Sequence, residues 1–175
     1  GKATRLYPVT KVLSKHLLPI FNKPMIYYPL TTLIQTGIRD ILIITTPHDL
    51  PIYRELLGDG QLFGINLTYL EQAKPNGLAE AFIIGEKFIA GDSCSLILGD
   101  NLFFGSSFQE KTIDACKHNQ GASIFAYRGA PSPAGTPLAM TSIIAPTELP
   151  FFRSSFIYFS QFGTIALSGH QKSFC

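Results

Sequence analysis

Asp40-Ile41-Leu42-Ile43-Ile44-Thr45 decides the fold class. It is an apolar, β-branched run of buried-strand length, with no polar alternation to give it a wet face. Such a strand is covered on both sides. Three further candidates follow: Ile65 to Leu70, Ser95 to Leu98, and Ala122 to Tyr127. Helices fit between them. Pro24 suits a first helical turn and Gly37 the end of that helix. Asp49 is placed to cap a helix to Leu57, stopped by Gly58. Asn76 is placed to cap Leu78 to Phe88, and Ser107 with Glu110 has the spacing of a capping box for a helix reaching about Lys117. Strands alternating with helices predict an α/β fold: a Rossmann-like, mostly parallel sheet with helices on both faces.

The 175 residues predict one domain, long enough to bury a core. Charged residues are 15% of the chain against 46% hydrophobic, and net charge is +2, which gives no electrostatic case for nucleic acid or an anionic membrane. Cys94, Cys116 and Cys175 are odd in number and lack metal-site spacing, so neither a disulfide framework nor a zinc site is expected, and a reducing, cytoplasmic setting is. Apolar runs fall short of a membrane span, no signal peptide is visible, and no internal repeat is found.

Charge is unevenly spread. From Gly129 onward only Glu148, Arg153 and Lys172 are charged. The change begins at a linker-like run of small residues and prolines from Gly129 to Pro137. A Phe-rich segment follows, without clean periodicity, in which Phe156 to Phe162 is a candidate strand. The expected division is therefore 1–128 as the orderly domain and 129–175 as an unassigned tail.

Four places carry candidate chemistry. Gly1 to Arg5 offers small residues, the Thr4 hydroxyl and the Arg5 guanidinium, which suit phosphate oxygens; the competing view is a disordered terminus. Lys15, just before an apolar stretch, offers a point charge for a phosphorus centre, or is a surface lysine with a buried stem. Its neighbour His16 suits a base or a phosphate; a packed or a solvated histidine is the alternative. Asp100, in Leu98-Gly99-Asp100-Asn101, follows a buried strand where open α/β sheets bind ligands, and a lone carboxylate there suits Mg²⁺; an ordinary turn is the alternative. Gln72 offers the donor and acceptor needed for the edge of a base, and Gly77 lets a ring approach the backbone, in a segment that equally serves as a strand–helix loop.

In order along the chain, Thr4-Arg5-Leu6-Tyr7-Pro8, Asn22-Lys23-Pro24-Met25, Gly37-Ile38-Arg39-Asp40, Leu57-Gly58-Asp59-Gly60, Asn76-Gly77-Leu78-Ala79 and Leu98-Gly99-Asp100-Asn101 resemble the sugar-1-phosphate nucleotidyltransferases, and within them the glucose-1-phosphate thymidylyltransferases. The resemblance implies Mg²⁺-dependent transfer from dTTP to glucose 1-phosphate. The products are dTDP-glucose, for dTDP-rhamnose and cell-surface polysaccharide, and pyrophosphate. It implies a homo-oligomer. It assigns Gly1, Thr4 and Arg5 to the triphosphate loop, Arg5 to the departing pyrophosphate, and Lys15 to the α-phosphate. Gln72 and Gly77 fall to thymine and Asp100 to the metal, while His16 stands beside Lys15 where the family has Gln.

The chain departs from the family at Ala3, where the motif has Gly, and after Arg128, where the family's sugar-binding block is not found; Glu148 does not match it. No strand precedes the phosphate loop, so a gap in the sheet is expected. Two alternatives follow: an inactive or weakly active relative that at most binds nucleotide, or a protein whose tail mediates association. An out-of-frame origin is one account of that tail.

Overall fold

The computed structural model describes residues 4–74, 76–103, 108–117, 123–126, 140–145, 148–149, 152–153 and 165–167. The chain begins with 3₁₀ turns at Thr4–Leu6, Val9–Lys11 and Lys15–Leu17. Strands β1 (Pro19–Ile20) and β2 (Lys23–Pro24) then form a small antiparallel hairpin. That pairing takes Pro24 out of the helix suggested for it. Proline has no N–H to give a ladder, and a two-residue edge strand tolerates the loss. Helix α1 (Tyr27–Gln35) starts three residues later, and Gly37, at φ 89°, turns the chain after it.

The strands and helices then alternate: β3 (Asp40–Thr45), α2 (Leu50–Leu57), β4 (Asn66–Glu71), α3 (Leu78–Ile89), β5 (Cys94–Ile97), α4 (Phe108–Lys117) and β6 (Ser123–Ala126). Two expected caps differ. Asp49 precedes α2 but its side chain does not cap it; Thr46 Oγ1 donates to Asp49 Oδ2 at 3.0 Å and accepts from Asp49 N at 3.1 Å, closing a turn ahead of the helix. Gly77, at φ 99°, takes the N-cap position of α3 in place of Asn76. Ser107 and the candidate strand at 156–162 lie outside the described residues.

Beyond β6 come β7 (Met140–Ala145), the hairpin β8 (Glu148–Leu149) with β9 (Phe152–Arg153), and β10 (Ile165–Leu167). The main sheet has the order β4-β3-β10-β5-β7-β6. β3 pairs parallel with β4, and β10 runs antiparallel to both β3 and β5. β7 is antiparallel to β5 and β6. Hence β3, β4, β5 and β6 share one direction, as expected, and the two opposed strands come from the tail. The expected gap beside β3 is filled: Ala166 lies opposite Leu42 on one side and Leu96 on the other. Two buried strands leave backbone groups that need partners, and a short apolar segment supplies them.

The core explains the unbroken run at β3. Ile41 and Ile43 pack on one face with Leu30 and Leu33 of α1 and with Tyr53 and Leu57 of α2. Leu42 and Ile44 pack on the other with Ala81 and Ile89 of α3. Each fully buried isoleucine or leucine contributes about 1.5–3 kcal/mol. Among the described residues no helix is long and apolar enough to cross a membrane.

Candidate active site

β3 and β4 end in register, with Thr45 opposite Glu71, and Gln72 N donates to Thr45 O at 2.8 Å. β5 points the same way. Residues following β4 and β5 therefore lie at one carboxyl edge of the sheet, the edge where open α/β sheets take ligands.

The turn after β5 is closed twice. Asn101 N donates to Leu98 O at 2.9 Å, and Asn101 Oδ1 accepts from Leu98 N at 3.2 Å. Asp100 projects from this turn, and its Oδ2 accepts a hydrogen bond from Lys15 Nζ, 85 positions away in sequence. The two side chains keep 28% and 30% of their exposure, so the pair adds under about 1 kcal/mol to stability. Its importance is chemical. Burial raises the carboxyl of Asp100, but the hydrogen bond and charge of Lys15 outweigh it and hold the group below its ordinary range.

His16, next to Lys15 in sequence, is fully buried. Its Nδ1 lies 3.1 Å from Ser14 Oγ, which lies 3.4 Å from the hydroxyl of Tyr53 on α2. Its Nε2 is buried without a hydrogen-bond partner among the described residues. The ring packs against Gly99: a methyl group there would stand 2.9 Å from its Cδ2. Burial pushes the imidazole down to about 3, so it is neutral.

A second group sits at the end of β4. Gln72 is nine-tenths buried, and its Nε2 donates to Glu80 Oε2. Asn76 Nδ2 donates to Glu80 Oε1 at 2.7 Å. Gly77 stands between them in sequence with open space where a side chain would be.

The structure thus brings together Lys15, His16 and Asp100, and places Gln72 and Gly77 at the same edge. Thr4 and Arg5 lie exposed in a 3₁₀ turn, with no side-chain hydrogen bond or ion pair among the described residues. Gly1 lies outside those residues. Ser14, Tyr53 and Glu80 escape sequence reasoning. For Glu80 the signal was present: it falls four residues after Asn76 at a helix start, where side chains four apart meet.

Against this geometry, the nucleotidyl transferase family model matches residues 1–134. The chain belongs to the nucleotidyl transferase family. It is 54% identical over 128 residues to a glucose-1-phosphate thymidylyltransferase of Neisseria meningitidis, covering 73% of this chain and 44% of that protein. It is 53% identical over 127 residues to one of Mycobacterium tuberculosis, with the same coverage. The chain spans less than half the length of these curated relatives. A crystal structure from Bacillus anthracis, described as a glucose-1-phosphate thymidylyltransferase in complex with a sucrose, superposes with a TM-score of 0.69 at 37% identity, covering 75% of this chain and 53% of that one. A UDP-glucose pyrophosphorylase superposes at 0.58 with 20% identity and shares the nucleotidyl transferase fold.

Proposed function

We propose that the carboxyl edge of this sheet binds dTTP and directs transfer of its nucleotidyl group to glucose 1-phosphate. The observation that carries this is the Lys15–Asp100 pair at the end of β5, on the same edge as Gln72. The identities of the relatives support it.

A phosphate oxygen of the sugar attacks the α-phosphorus of dTTP. The new P–O bond forms as the bond to the β-phosphate oxygen breaks, and pyrophosphate leaves. The protein's share is positioning and charge stabilisation. Lys15 offers its ammonium to the α-phosphate, Arg5 neutralises the leaving pyrophosphate, and Gly1 and Thr4 line the triphosphate loop. Gln72 and Gly77 hold the base.

The donor chemistry at Asp100 fits Mg²⁺. It is a hard carboxylate with lone pairs beyond the one Lys15 takes, and among the described residues no group of three His, Cys, Asp or Glu converges to form a protein cage. Mg²⁺ suits one carboxylate completed by substrate phosphates. When bound it screens charge on the phosphates.

A second reading, nucleotide binding with little turnover, is favoured by Glu148, the tail's lone carboxylate, which lies in the β8–β9 hairpin outside the six-stranded sheet. Titration with dTTP followed by glucose 1-phosphate separates the two. Both readings predict binding, and only the first predicts pyrophosphate release. The remaining expectations, a cytoplasmic homo-oligomer serving dTDP-sugar synthesis, belong to the first.

A further inference from the structure

Glu80 holds two amides at once, Gln72 through Oε2 and Asn76 through Oε1. These two donors keep its carboxyl below the ordinary value. An ionised carboxylate only accepts hydrogen bonds. The NH₂ end of Gln72 must therefore face Glu80. A glutamine amide is nearly symmetric in shape, and an unrestrained one presents its carbonyl or its NH₂ by turning over. Gln72 lacks that freedom. Turning over would set its Oε1 against an ionised oxygen, two acceptors with no proton between them, on a side chain with only 7% of its exposure left.

We infer that Glu80 is a specificity-determining residue: by fixing the Gln72 amide it selects a keto pyrimidine, thymine or uracil, over cytosine. This rests on the reading of Gln72 as the base contact. Thymine and uracil present N3–H as a donor beside a carbonyl acceptor. Cytosine has the same outline with the two exchanged, N3 as acceptor beside an amino donor. An amide locked with its carbonyl toward N3 accepts from thymine and meets a lone pair on cytosine. An amide free to turn over serves both. The thymine methyl plays no part in this device.

Glu80 also lies in the first turn of α3, where a carboxylate is favoured by the helix dipole. That role is separable. Glu80→Gln keeps the side chain's size but lets position 80 donate or accept, so Gln72 is released. Asn76→Ala removes the other hydrogen bond and leaves the lock intact.

The test is calorimetric titration of the full chain with dTTP and with dCTP, each with Mg²⁺. The wild type is expected to favour dTTP by about tenfold or more, the usual range for a well-made two-point base contact. Glu80→Gln is expected to bring the two within about threefold, chiefly by tightening dCTP, and Glu80→Ala to follow it. Asn76→Ala keeps the wild-type ratio. If Glu80→Gln and Glu80→Ala retain the wild-type ratio, the lock is overturned and the base contact stands. If the wild type binds neither nucleotide, or Gln72→Ala keeps the preference, the lock falls together with the reading of Gln72.

Discussion

Gly99 and His16 touch so closely that a methyl group on Gly99 would lie 2.9 Å from the imidazole. The ring is held from behind by Ser14, which reaches Tyr53 of α2. The turn bearing Asp100 therefore rests on a buried ring anchored in the core. Gly99→Ala is expected to destabilise the protein by about 1–3 kcal/mol through overpacking. In a His16→Ala background the added methyl has room, and the cost is expected to shrink. Urea unfolding of both single variants and the double variant checks this; a coupling of about 0.5–3 kcal/mol marks residues in contact. Additive effects would mean the contact carries no energy.

His16 also makes stability depend on pH. Its folded value, about 3, is below the ordinary 6.5, so the unfolded chain binds the extra proton between those values. This contribution is complete above about pH 6.5 and is lost as pH falls toward 3. Asp100, held low when folded, is lost in the same direction at lower pH. Between pH 7 and 5 the His16 share is on the order of 2 kcal/mol. Thermal melting of the metal-free protein should fall over that interval, and His16→Gln should flatten the slope. Parallel slopes would show that the imidazole is not buried neutral.

The Lys15–Asp100 pair predicts a split between stability and activity. Both groups are partly exposed, so Lys15→Ala is expected to change unfolding free energy by less than about 1 kcal/mol. Its effect on pyrophosphate release is expected to be about 100-fold or more, the usual cost of removing a charge aimed at the reacting group. Equal melting temperatures with unequal rates would show the split. A large loss of stability would recast the pair as structural.

β10 sits between two buried strands, and Ala166 is its middle residue. Ala166→Pro removes a ladder donor in the interior of a sheet, where proline is not tolerated. A loss of more than about 1 kcal/mol is expected by chemical denaturation. An unchanged midpoint would place the segment elsewhere.

How much of this was legible follows from which signals are local. β3 and β4 were readable because apolar runs bounded by turn residues need only neighbours in sequence. Pro24 was misplaced because its hairpin with Pro19 is decided by pairing, not by propensity. β10 was unreadable: three apolar residues acquire meaning only from the strands on either side. The same holds at the site. Lys15 and Asp100 each looked like a candidate, but their meeting across 85 positions is a product of the fold. His16 left packing and a ligand role both open; its full burial and its contact with Gly99 decide for packing, and neither is visible from its polar neighbours Ser14 and Lys15.

The decisive measurement is pyrophosphate release from dTTP in the presence of glucose 1-phosphate and Mg²⁺. Release is expected to require both substrates and to fall about 100-fold or more in Asp100→Ala, with the fold retained. Release unaffected by Asp100→Ala, or none from a folded wild-type chain, would contradict it.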